Sequence, residues 1–213
     1  MSLKAFLKVK PARWALCHLA LWRVQEKLAE ISSHLDLADR VLDVGAGNCI
    51  LCQELGRRGY DVVPVDLENL SFVDEIVPVA YDGTTLPFGD DSFDVALVIT
   101  VLHHVPDPNA VLVEVRRVAK RIIVIEEIYE NCFEKYLTYA IDSLFNLQFF
   151  NHPRSNRTDA AWREAFQRLR LDVSAAVYSR SLILLRRVTY VLARGEGGAQ
   201  SQILRSSVRS SDA

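Results

Sequence analysis

Few cysteines, no long apolar run and no excess of charge of either sign mark this sequence. Four cysteines, Cys17, Cys49, Cys52 and Cys132, are scattered through 213 residues. That is not the pattern of a disulfide-held secreted domain, so a reducing, cytoplasmic setting is the expectation. No apolar stretch is long enough to span a bilayer. Lys and Arg number 25 against 27 Asp and Glu, a net charge of −2. A domain-wide basic footprint for nucleic acid is therefore missing. There is no internal repeat. What is present, 50% hydrophobic and 24% charged residues, is the composition of a soluble globular domain. The length suffices for one sizeable core and is too short for two full catalytic domains.

The balanced total hides a segregation. Residues 1–25 carry Lys4, Lys8, Lys10, Arg13 and Arg23 and no acid. The apolar stretch Trp14–Trp22 inside them is interrupted by His18, ended by Arg23 and followed by no small-residue cleavage site. An amphipathic helix, not a secretion signal, is expected. Residues 1–37 thus form an N-terminal helical segment, with residues 1–31 suited to act as a lid or as a peripheral membrane contact. From Gly59 to Val115 the bias reverses: Asp61, Asp66, Glu68, Asp74, Glu75, Asp82, Asp90, Asp91, Asp94, Asp107 and Glu114 occur with no Lys or Arg. Such a field suits a cationic ligand and repels a pyrophosphate.

Short apolar runs at Val41–Val44, Val62–Val65, Ile76–Val79, Val95–Ile99 and Ile122–Ile125 read as buried parallel strands. Helical stretches such as Ile50–Arg58 and Ala110–Ala119 separate them, the second with Asp107 as N-cap and Pro108 at its first position. This alternation predicts an α/β fold with helices on both faces of one sheet. Pro64 is a blemish, because it removes a donor from what should be an interior strand. A helix over Asp159–Arg170, two strands at Leu171–Tyr178 and Val188–Ala193, and a tail from residue 195 complete a catalytic-sized domain over 38–194.

The chemistry concentrates at three motifs. In Val41–Cys49 a strand runs into a Gly45-Ala46-Gly47 turn and then a helix, which lets backbone approach a ligand at a helix N-terminus. Ile50 stands where a dinucleotide fingerprint needs its third glycine, which disfavours a nicotinamide-dependent dehydrogenase. Asp66 follows the second strand, where an acid can hold both ribose hydroxyls. The third is Tyr81-Asp82-Gly83 through Leu86-Pro87-Phe88, followed by Asp91-Ser92-Phe93-Asp94-Val95. Together these resemble the Rossmann-like S-adenosylmethionine-dependent methyltransferases, in particular the small-molecule branch with the ubiquinone and menaquinone biosynthesis enzymes. Val101-Leu102-His103-His104-Val105 is similar to that family's segment after strand four.

The resemblance implies a seven-stranded, mostly parallel sheet with an antiparallel last strand. It implies S-adenosyl-L-methionine as cofactor, with Asp43, Gly45 and Gly47 shaping the methionine end and Thr100 near it. By the same resemblance Asp66 and Leu67 hold the ribose, and Asp82 with Gly83 faces the adenine amine. Cys49 stands where the family usually has a third glycine, and Lys120-Arg121 replaces a Pro-Gly turn.

The remaining candidates come from residue chemistry. Cys49-Ile50-Leu51-Cys52 matches a redox Cys-x-x-Cys, but without a second pair it is no zinc site; packing is the simpler role, and no metal is expected. His103, His104 and His152 are the candidate general bases. Glu126 and Glu127, after the fifth strand, are candidates for a pocket rim. Phe133, Tyr136, Leu137, Ala140, Ile141 and Leu144 recur at helical spacing within 131–150, with Phe145, Phe149 and Phe150 beyond the stripe. That surface suits a small apolar or amphipathic methyl acceptor, not nucleic acid. A catalytically inactive cofactor-binding scaffold is the alternative of another class.

Overall fold

The computed structural model describes residues 23–132, 134–136, 155–181 and 185–195. The candidate His152, most of the aromatic stretch 131–150, residues 1–22 and the tail beyond 195 lie outside the described residues.

Seven strands form one sheet: β1 (Arg40–Val44), β2 (Asp61–Asp66), β3 (Val79–Ala80), β4 (Phe93–Ile99), β5 (Ala119–Ile128), β6 (Leu171–Ser181) and β7 (Leu185–Arg194). Their spatial order is β3-β2-β1-β4-β5-β7-β6. The pairs from β3 to β5 are parallel, and β7 runs antiparallel to both β5 and β6. The last strand in sequence is therefore the single antiparallel one, as expected, and it lies inside the sheet.

Both faces of the central strands are buried because the apolar runs are continuous, not alternating. In β4, Ala96 and Val98 pack with Val111, Leu112 and Val115 of one helix and with Trp162 and Phe166 of another. Val95, Leu97 and Ile99 point the other way, onto Val24, Leu28 and Ile31 and onto Ile50, Leu51 and Leu55. The helices so used are α1 (residues 23–31), α2 (Ile50–Arg57), α3 (Pro108–Val118) and α4 (Asp159–Arg168). Asp107 caps α3 as its sequence predicts, accepting from the Asn109 and Ala110 amides at 2.9 and 3.2 Å. Thr158 caps α4 through the Ala161 amide. No helix among the described residues is long and apolar enough to cross a membrane.

Two local expectations change. The strand expected at Ile76–Val79 shrinks to Val79–Ala80, because Ile76 turns its side chain in against the α2 face instead of extending along the sheet edge. Pro64 is tolerated for a geometric reason. Val65 C=O accepts from the Gly45 amide while Asp66 C=O accepts from the Tyr81 amide. Alternate residues thus address opposite neighbours, and Pro64 shares the outward side of Asp66. On that side β3 begins only opposite Val65, so no ladder bond is lost.

Helix α1 is docked firmly. Leu28 and Ile31 are fully buried, and its acids reach β7: Glu30 accepts from Arg187 Nη2 at 2.6 Å and from Thr189 Oγ1 at 2.9 Å, with Glu26 3.7 Å from Arg187 Nη1.

Candidate functional site

The sheet order reverses at β1 and β4, and ligands in open α/β sheets bind beyond the carboxyl ends of the strands at such a switch point. The glycine turn, Asp66, Asp82 and Thr100 all lie there.

Gly45 and Gly47 leave β1 with φ of 72° and 53°. A Cβ on Gly45 would meet Val101 Cγ2 at 2.6 Å, so a side chain here would drive the turn and the segment after β4 apart. Asp66 closes the turn: its Oδ2 accepts from the Gly47 amide and its Oδ1 from the Leu67 amide, both at 2.7 Å. A carboxylate has about four acceptor positions. Two are thus held by backbone, and two remain for a diol. Leu67 is 55% exposed and lies against Gly83, where a Cβ would meet its Cδ2 at 3.1 Å.

Asp82 makes a tight turn. Its Oδ1 accepts from the Thr84 and Thr85 amides at 2.8 and 2.9 Å. These bonds favour the charged form and lower its pKa to about 2. The loop beyond it is pinned by Arg117, which donates to the carbonyls of Leu86 and Phe88 and to Glu114, while Glu114 accepts from the Leu86 amide. Phe88 packs edge-on to Phe93 at 4.9 Å. Asp94 accepts from the Arg40 amide and from Lys120. The motif residues Leu86–Phe88 and Phe93–Asp94 therefore hold the loop carrying Asp82, and their role is architectural.

Asp43 is buried at the end of β1 and accepts from Cys52 Sγ at 3.0 Å. Burial raises its pKa to about 6, with Cys52 and Lys27 working against that rise. Thr100 ends β4 with φ 57°, a left-handed conformation rare for a β-branched residue. Its amide donates to Ile125 C=O and its hydroxyl to Ile99 C=O. That hydroxyl accepts from Lys27 Nζ at 3.1 Å. Lys27 is a residue that sequence reasoning missed. It lies on α1, away from any motif, next to Glu26 in sequence. Burial lowers its pKa to about 8, aided by Arg23 and opposed by Asp43 and Glu127.

The histidines part company. His103 is 1% exposed, and its Nδ1 lies 2.6 Å from Glu126 Oε2. Glu126 is fully buried, and its Oε1 also accepts from the amides of Val101 and Leu102. A carboxylate that accepts a hydrogen bond from Nδ1–H leaves Nε2 as the basic nitrogen of the neutral ring. His104 is half-buried, and its ring lies against that of His103 with centroids 4.1 Å apart and planes tilted by 40°. Glu127, next to Glu126 in sequence, is buried and is paired with Arg187 in the β5–β7 register. Glu126 and Glu127, expected on a rim, lie inside the fold, and Glu126 braces the segment after β4.

A seven-stranded sheet in this order, with a glycine turn after β1 clasped by an acid from β2, is a Rossmann-like fold. Residues 42–122 match the family model described as a methyltransferase domain. The chain is 39% identical over 92 residues to the ubiquinone biosynthesis O-methyltransferase of Hahella chejuensis, a match covering 38% of this chain and 39% of that protein. It is 28% identical over 149 residues to the demethylmenaquinone methyltransferase of Mycobacterium bovis, covering 64% and 59%. The match spans half or less of the length of the first curated relatives. Among solved structures, 1,6-didemethyltoxoflavin-N1-methyltransferase of Burkholderia thailandensis superposes with a TM-score of 0.62 at 17% identity, over 91% of this chain and 89% of that one. A methyltransferase of Methanosarcina mazei gives 0.62 at 19% identity, over 78% and 97%. These structural likenesses establish the fold.

Proposed function

We propose that this chain transfers a methyl group from S-adenosyl-L-methionine to a small apolar or amphipathic acceptor of the phenol or quinol kind. The observation that carries this reading is the Asp66 clasp on the Gly47 amide, with its two spare acceptor positions at the mouth of the glycine turn. The residues around it fit the cofactor's three chemistries. Asp66 supplies acceptors for a ribose diol, Asp82 and Gly83 lie toward the adenine side, and Lys27 beside Thr100 supplies a cation for the methionine carboxylate. The acidic stretch from 59 to 115 adds a field that favours a sulfonium. When bound, the cofactor supplies an already electrophilic methyl group. The protein's part is to position the acceptor in line, exclude water and remove a proton where the acceptor is an oxygen or carbon acid. The relatives named for ubiquinone and demethylmenaquinone support an acceptor of that chemistry.

Calorimetry with S-adenosyl-L-homocysteine tests the site, and labelled methyl transfer to phenols and quinols, with RNA as control, tests the reaction. Asp66→Ala should weaken cofactor binding by about 1.5–3 kcal/mol for each hydrogen bond lost to the charged carboxylate, with the fold intact by circular dichroism. Unchanged affinity would remove Asp66 from the site.

Cofactor affinity should also depend on pH through Lys27. Its pKa is lowered to about 8, so its charge is complete well below that value and is lost as pH rises through it. Binding should therefore weaken across that range in the parent and lose this dependence in Lys27→Ala. A flat titration of binding between neutral pH and pH ~9.5 would show that Lys27 does not hold the carboxylate.

For the proton, we place the base in the adjacent pair His103–His104, with half-buried His104 the one open to an acceptor. His104→Ala should abolish the fall in rate as pH drops through ~6.5. Persistence of that limb in this variant would exclude it. The basic, acid-free start of the chain, residues 1–25, is the basis for a peripheral membrane contact, which flotation with anionic vesicles at low salt tests; the apolar row of α1, Val24, Leu28 and Ile31, lies in the core and takes no part in it.

A further inference from the structure

The cysteines of the glycine turn have no part in the chemistry above, yet they touch the cofactor loop at two points. Cys49 ends the turn in a left-handed conformation, φ 57°, as the residue before α2. Cys52 lies one turn on, where side chains three apart share a face. Both are buried, at 0% and 3% exposure, and they pack together with Ala46 in one small cluster. Cys52 Sγ also donates to Asp43 Oδ2 at 3.0 Å. Among the described residues this is the one side-chain hydrogen bond that Asp43 receives.

We propose that Cys49 and Cys52 form a reversible disulfide that weakens cofactor binding, making the glycine turn a site of oxidative modification. The inference rests on the cofactor reading of this turn given above. The step balances with a peroxide as oxidant. The Cys49 thiolate attacks one peroxide oxygen, the O–O bond breaks, and hydroxide leaves to become water, giving Cys49 sulfenic acid. The Cys52 sulfur then displaces that oxygen as a second water, with its own proton, and the S–S bond closes. Two thiols are oxidised and one peroxide is reduced.

The order follows from the surroundings. Cys52 is held in its thiol form by burial and by donating its proton to the Asp43 carboxylate, whereas Cys49 has among the described residues no such carboxylate partner and only the Gly47 carbonyl at 3.8 Å. Cys49 is thus the attacking sulfur and Cys52 the resolving one. Closing the bond takes the S–H away from Asp43 and leaves a buried carboxyl group without its donor. It also draws the end of the turn toward the helix, so the Gly45–Gly47 backbone and the Asp66 clasp move with it. An Ala or Gly at either cysteine position would have neither property, and the exposed Cys132 shares none of this setting.

The test uses the full chain with cofactor product titrated by calorimetry before peroxide, after peroxide and after a dithiol reductant. Differential alkylation and peptide mass mapping follow the cysteines. The expected result is a peptide carrying the linked Cys49–Cys52 pair with two hydrogen masses lost, an affinity reduced about tenfold or more, and recovery on reduction. Peroxide-treated Cys49→Ser, which lacks the attacking sulfur, should keep whatever affinity it had before treatment. Absence of the linked peptide overturns the proposal, as does unchanged affinity of the linked form or a peroxide-induced loss in Cys49→Ser. Failure of the fully reduced chain to bind the cofactor product is a different result: it rejects the cofactor reading, and this inference with it.

Discussion

Replacing Glu126 by alanine should destabilise the domain by about 3–5 kcal/mol, the scale for removing one partner from a buried charged cluster. Three bonds end on this fully buried carboxylate: the Val101 and Leu102 amides on one oxygen and His103 on the other. Its loss leaves two backbone donors and an imidazole in a place that water does not reach, and an unsatisfied buried donor carries its full desolvation cost. Val101 is also the residue against which Gly45 packs. The damage should therefore reach the cofactor turn, and affinity should fall together with stability. Glu126→Gln keeps an oxygen for the two amides and should lose much less. Urea unfolding read by fluorescence measures both variants. Equal, small losses would show that the carboxylate is not the brace that its bonds imply.

An effect of similar size is expected at Arg187. Arg187→Ala removes a guanidinium that is 5% exposed and pairs with Glu30 at 2.6 Å, with Glu26 and Ser179 also in reach. What remains is a largely buried carboxylate facing β7 with only Thr189 to satisfy it. The expected loss is again about 3–5 kcal/mol. It should be local first, because α1 is held to β7 by this cluster and to the sheet by its apolar row. Amide exchange in residues 23–31 should speed up more than in β4 or β5. Lys27 rides on the same helix, so the reach of its ammonium to Thr100 should loosen too. Uniform exchange across α1 and the central strands would show that the cluster does not govern docking.

The parts of the molecule legible in the sequence were those set by unbroken local pattern. The continuous apolar runs in β1, β4 and β5 signal strands buried on both faces, and Asp107-Pro108 marks the start of α3 to the residue. The glycine turn and Asp66 were also readable, because a backbone bend and an acid at fixed spacing leave a signature. What a tertiary contact decides was not. Lys27 has no motif. It becomes part of the site because α1 packs across the ends of β1 and β4, a fact visible only once Leu28 and Ile31 are seen in the core. Glu126 read as a loop acid because nothing in its neighbours shows that the amides after β4 turn back toward it. The signal that could have raised it is its place: an acid continuing the apolar run Ile122–Ile125 inside a strand needs a partner if it is buried. Ile76 misled in the opposite way, since its β-branched neighbours suggest a strand while its own burial takes the chain off the sheet.

Pro64 bears on how molecules of this protein meet one another. The lower half of β2, from Asp61 to Pro64, has β1 on one side and, on the other, no strand among the described residues. A bare parallel edge of Val-rich sequence is a template on which a second chain can add its own strand. At Pro64 the outward position offers no N–H, so an incoming strand would lose a bond in the middle of the stretch. Asp61 starts the same edge with a charge. The opposite border is guarded differently: β6 carries an irregularity between Val173 and Ala175 that breaks its register. The residue that reads as a fault in strand chemistry thus removes one donor from an edge on which an added strand would need it.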